Sequence, residues 1–79
     1  MADARLVSYR KAARNLNNII RTLQSTSERL ERWLDRARSA KRIDVRKIRE
    51  SAVPLFDSLK GRMREAESAL SDLIGVASS

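Results

Sequence analysis

The sequence has no cysteine and no histidine. The chain therefore has no thiolate nucleophile, no imidazole base and none of the usual zinc ligands, and disulfide stapling is excluded. Its carboxylates show no paired spacing suited to a metal centre. Glycine is equally scarce: Gly61 and Gly75 are the only two, too far apart to form a phosphate-cradling loop. No constellation of acid, base, nucleophile or metal ligand remains, so the expectation is a protein that is not an enzyme and takes no cofactor. Apolar runs are short as well. None reaches the eighteen residues of a membrane span, and the first twenty residues carry Arg5, Arg10, Lys11 and Arg14 without an apolar stretch. This predicts a soluble chain made without a secretory signal peptide, cytoplasmic or held within an assembled particle. The lack of cysteine is compatible with a reducing compartment without requiring one.

What the sequence does have is helical period. Leu6, Tyr9, Ala13, Leu16, Ile20, Leu23, Ser27, Leu30, Leu34 and Ala37 are spaced alternately by three and four, with only Ser27 off pattern. Ile48, Ala52, Leu55, Leu59, Met63, Ala66, Leu70, Leu73 and Ala77 form a second stripe. A short basic segment separates them. The pattern predicts an all-α fold: one antiparallel helical hairpin domain over residues 1–79, with a helix at about 3–40, a turn at about 41–44 and a helix at about 45–75. With 79 residues and no staple, such a hairpin is small for a self-sufficient core, and membership of a larger helical oligomer is expected.

Pairing the stripes about residue 43, with partner numbers summing to about 86, sets Leu34 against Ala52, Leu30 against Leu55, Ser27 against Leu59 and Ile20 against Ala66. Large meets small in most layers, as close packing requires. A three-helix bundle broken at Gln24-Ser25-Thr26-Ser27-Glu28 is the competing architecture, since Ser25 and Glu28 have capping-box spacing. Continuity is favoured because Leu23 and Leu30 stay one heptad apart. Asp44 is the expected N-cap of the second helix. Pro54 predicts a kink, or a break at 51–54 with Ser51 capping a new helix, because its ring clashes with the carbonyl of Glu50. The helix is expected to fade near Gly75.

Two surfaces carry functional expectations. Ile19, Trp33, Val53, Phe56 and Ile74 lie outside the stripes, more apolar surface than a two-helix seam covers, and they are the candidate protein-interaction residues. They point to a homo-oligomer or a helical protein partner, with folding over the hairpin edge as the plainer account. Charge supplies the second surface. Residues 29–49 hold nine Arg and Lys against three Asp and Glu, +6 of the chain's +7. Arg38, Lys41, Arg42, Arg46, Lys47 and Arg49 are the candidate residues for an anionic partner. Arginine outnumbers lysine thirteen to four, which favours forked contacts to phosphate or carboxylate, although a GC-rich genome gives the same bias. The sequence thus predicts a non-enzymatic structural or interaction protein that self-assembles or docks on a helical partner and presents a basic tip to an anionic surface. A sequence-indifferent nucleic-acid-binding protein, for packaging or regulation, is the alternative. Membrane-surface binding fits less well, as no bulky apolar face opposes the arginines, and a merely solvated charged surface is the remaining account.

Overall fold

The computed structural model describes residues 3–79 and contains two helices, α1 (Ala4–Arg38) and α2 (Val45–Ser78), which pack against each other as a hairpin. The molecule is a rod of 64 × 15 × 13 Å. Each end of the hairpin is fixed by local chemistry. Asp3 caps α1 by accepting from the Arg5 amide at 3.0 Å, and Asp44 caps α2 by accepting from the Lys47 amide at 3.2 Å. At the end of α1 the Ser39 hydroxyl donates to the carbonyls of Asp35 and Arg36, so the helix stops without a glycine. No positive φ is needed at the turn, and among the described residues none has one. At the open end the Arg5 guanidinium donates to the carbonyls of Ser79 (3.1 Å) and Ala77 (3.5 Å), placing a cation on the negative terminus of α2 and tying the arms together.

Both helices run on through the points where the sequence pattern is weakest. α1 passes unbroken through Gln24-Ser25-Thr26-Ser27-Glu28, which removes the three-helix alternative. α2 passes unbroken through Pro54, so the expected break at 51–54 does not occur. Pro54 and Glu50 both lie at the exposed surface, where the Glu50 carbonyl deprived of its helical donor is not forced into an apolar core. The helix also continues past Gly75 to Ser78, held at its end by the Ser79 hydroxyl, which donates to the Val76 carbonyl, and by Arg5.

The seam between the helices is rotated from the predicted one. Its most buried members are Thr26, Leu30, Ala52 and Ala69, with Leu30 6% and Ala69 3% exposed. Half-buried residues complete it: Ala12, Leu16, Ile19, Leu23 and Trp33 on α1, and Leu55, Leu59, Arg62, Ala66, Leu73 and Val76 on α2. Ala13, Ile20 and Ser27 are half-buried along its edge. The seam residues still alternate by three and four, but on α1 the stripe shares only part of its membership with the expected one: Leu16, Leu23 and Leu30 stay, while Ile19, Thr26 and Trp33 replace Ile20, Ser27 and Leu34. On α2, Arg62, Ala69 and Val76 replace Met63, Leu70 and Ala77. The alternation of buried and half-buried positions fits partner numbers summing to 85, in keeping with Trp33 sharing a cavity with Ser51 and Leu55 at one end and Tyr9 sharing one with Val76 and Ala77 at the other. The layers become Trp33 with Ala52, Leu30 with Leu55, Thr26 with Leu59, Ile19 with Ala66 and Leu16 with Ala69. Size complementarity decides the rotation. In this register the three alanines of α2 stand opposite Trp33, Ile19 and Leu16, so large faces small as close packing requires, with Ala52 and Ala69 buried. Thr26 enters the seam because its hydroxyl donates to the Thr22 carbonyl at 3.2 Å, leaving only its methyl to pack.

Candidate assembly face and basic tip

Rotating the seam gathers many of the remaining apolar residues on one side of the rod, while Val7, Ile43, Val45 and Ile48 are exposed outside it. A two-fold axis normal to the plane of the pair relates antiparallel helices, and it maps each side of the pair onto itself. Residues with the same heptad offset from the seam therefore share a side. Leu6, Ala13, Ile20, Ser27 and Leu34 follow the seam positions of Arg5, Ala12, Ile19, Thr26 and Trp33 on α1. Phe56, Met63, Leu70 and Ala77 follow Leu55, Arg62, Ala69 and Val76 on α2. At the open end Leu6 and Ala77 line one cavity, as this geometry demands. Val53 and Ile74, one further step around α2, border the same side. Leu34, Val53, Phe56, Met63, Leu70 and Ile74 are 47–55% exposed. The rod thus carries a lengthwise apolar face contributed by both helices.

The opposite side is polar: Asn15, Thr22, Arg29 and Arg36 on α1, with Ser51, Ser58, Glu65 and Asp72 on α2, all exposed. Here Arg36 and Ser51 line one cavity with Arg29, Arg32 and Trp33. Arg62 bridges seam and surface. It is a half-buried cation at a seam position and donates to both Glu65 oxygens, at 3.1 and 3.2 Å.

The predicted interaction residues divide accordingly. Val53, Phe56 and Ile74 lie exposed on the apolar face, whereas Ile19 and Trp33 are half-buried in the hairpin's own seam, where the rotated register uses them as core. Ile20, Leu34, Met63 and Leu70, expected in the seam, take their place on the face. The predicted anion-binding residues divide as well. Lys41, Arg42 and Lys47 surround a concavity at the turn together with Trp33, Arg36 and Ser51. Arg38, Arg46 and Arg49 have heptad offsets on the apolar side of the tip, and two of them are paired, Arg38 with Asp35 at 3.7 Å and Arg46 with Glu50 at 3.2 Å. Arg29, Arg32 and Arg36 were not among the residues singled out for the tip, yet they line its polar side. Their spacing of three and four is a sequence signal for a shared helix edge. Ile43 stands at the apex, 89% exposed.

Among the described residues no group of His, Cys, Asp and Glu is arranged to hold a metal ion, and no helix is long and apolar enough to cross a membrane. Comparisons with known protein families, curated proteins and solved structures find no match for this chain.

Proposed function

We propose that this protein is a non-enzymatic structural protein that assembles with copies of itself through the apolar face, leaving its basic tip for an anionic surface. The observation that carries the reading is the continuity of that face from Leu6 and Ala77 at one end to Leu34 and Phe56 near the other. The hairpin alone buries very little: among the described residues Leu30, Ala52 and Ala69 are its only buried apolar side chains. A second copy adds the missing layer and gives a four-helix arrangement, in which an apolar stripe wider than a single seam is the norm. The size is adequate. A side of 64 × 15 Å presents a footprint of roughly 1,000 Å², against roughly 800 Å² per partner in a stable interface.

Charge favours copies lying head to tail. The tip segment 29–49 carries +6, while at the open end residues 1–20 (+3) and 65–79 (−3) cancel. Side-by-side tips would set Arg38, Arg46 and Arg49 of both copies together, and reversing one copy moves each tip beside a neutral end.

Sedimentation equilibrium tests the assembly. The expected mass is at least twice the 9.0 kDa chain, falling to the monomer in Met63→Ser/Leu70→Ser with helix retained. A strict monomer at high concentration, or an oligomer indifferent to those substitutions, overturns the proposal; a stoichiometric complex with an unrelated helical protein would replace the second copy by that partner. Orientation is read from Arg38→Cys, which forms a disulfide between copies only if the tips lie together.

A further inference from the structure

We infer that the polar side of the hairpin tip is a binding site for the phosphate backbone of nucleic acid, with duplex DNA as its simplest ligand. Arg29, Arg32 and Arg36 follow one edge of α1, Lys41 and Arg42 come from the turn, and Lys47 comes from the first turn of α2. Two adjoining concavities, both lined by Trp33, Arg36 and Ser51, join these six cations into one surface. All six are exposed, and none takes part in an ion pair among the described residues. Two carboxylates also line the concavities, Asp35, which pairs with Arg38 at 3.7 Å, and Asp44, which accepts the Lys47 amide as helix cap, so cations outnumber them there six to two. The excess of positive charge on one side of a small rod is held together against its own repulsion, which a polyanion relieves while releasing its counterions.

Shape and composition narrow the ligand. From Arg29 to the turn the row spans about 15 Å at 1.5 Å per helical residue, matching about four phosphates of one strand at 3.4 Å each. Guanidinium groups grip phosphate with two parallel hydrogen bonds. Two packed helices, 15 × 13 Å in section, are too wide for a major groove of about 12 Å, so binding is to the backbone and not the base edges. Away from the tip this side continues with the small polar Asn15, Asn18, Ser58 and Ser68 and with the acidic Glu65 and Asp72, all exposed. Trp33 lines both concavities and Ile43 and Ile48 line the one at the turn, but no lengthwise apolar stripe runs along this side to lie in a bilayer, which favours nucleic acid over an anionic membrane. The site faces away from the apolar side and stays open whether or not copies pair, so the inference shares the basic tip with the proposed function but does not rest on assembly.

The test is fluorescence anisotropy of a labelled duplex DNA titrated with the intact chain over a salt series, beside phosphatidylserine vesicles. Two triple variants remove the same charge from the two sides of the tip: Arg29→Gln/Arg32→Gln/Arg36→Gln, and Arg38→Gln/Arg46→Gln/Arg49→Gln. The unmodified chain is expected to bind duplexes of unrelated sequence equally, with affinity falling steeply with salt. The polar-side triple should lose more than about tenfold in affinity and flatten the log–log salt slope by about 2.7, at about 0.9 for each phosphate no longer neutralised. The other triple should flatten it by less than about 1. Emission from Trp33, the only tryptophan, should change on binding in the unmodified chain. If the polar-side triple loses helix, the single variants Arg29→Gln and Arg32→Gln serve in its place, each flattening the slope by about 0.9. Equal effects of the two triples, no binding to duplex at low salt, or binding to vesicles without binding to duplex would each overturn the inference.

Discussion

The rotated seam makes opposite demands of two leucines four residues apart. Leu30 is 6% exposed and belongs to the layer with Leu55, whereas Leu34 is 47% exposed on the apolar face. Leu30→Ala removes roughly three buried carbon groups at about 0.8 kcal/mol each and leaves a cavity, for a cost of about 2.5 to 5 kcal/mol. A chain of this size has a total stability of only about 4 to 12 kcal/mol, so the variant should lose a large share of it, with Tm lowered by more than about 10 °C. Leu34→Ala removes a side chain already half in water within the single hairpin and should cost about 1 kcal/mol there. Its larger effect arises only in the assembled state, where a second copy covers Leu34. Urea unfolding followed by far-UV circular dichroism at two well-separated protein concentrations distinguishes these contributions. The Leu30→Ala deficit should be much the same at both, while the Leu34→Ala deficit should grow with concentration, because association stabilises the folded state by mass action. If Leu34→Ala is as costly as Leu30→Ala in dilute solution, the seam runs through Leu34, and the rotation is refuted together with the apolar face derived from it.

Three more substitutions probe the same layers and caps. Ala69→Leu places a large side chain opposite Leu16 at a position only 3% exposed, and should destabilise the hairpin by about 1 to 3 kcal/mol in thermal unfolding; an unchanged or raised Tm would show that the helices do not approach closely there. Asp44→Ala removes the acceptor of the Lys47 amide and should cost about 0.5 to 2 kcal/mol by urea denaturation, with Asp44→Ser restoring most of it. Arg62→Leu replaces a half-buried cation in the seam with an apolar side chain and should raise stability by about 1 kcal/mol. A fall in stability instead would show that the Glu65 hydrogen bonds matter more than the added apolar area.

Two helices in a hairpin were legible from residue order alone. Period, the cap at Asp44 and the absence of a helix-reversing residue before Ser39 are local properties, and each acts whatever the partner helix does. The basic tip was equally legible, because net charge over residues 29–49 needs no geometry. Which side of each helix faces the other was settled only by packing. Two stripes with the same alternation of three and four overlap on α1, sharing Leu16, Leu23 and Leu30, and one continues through Ile20 and Leu34 while the other continues through Ile19 and Trp33. Within one helix both are acceptable apolar seams. The choice depends on what stands opposite, and Ala52, Ala66 and Ala69 accept Trp33, Ile19 and Leu16, a pairwise property that no single stripe contains. Shifting alternate seam members by one position, a partial turn of each helix, then sorted much of what lies outside the seam. Ile20, Leu34, Met63 and Leu70 passed to the open apolar side, Ile19 and Trp33 passed inward, and the basic residues of the tip separated into Arg38, Arg46 and Arg49 on one side and Arg29, Arg32, Arg36 and Lys47 on the other. Pro54 shows the same limit in the backbone: its ring predicts a kink or a break, and the break does not occur, because the seam residues on either side, Ala52 and Leu55, keep the helix continuous.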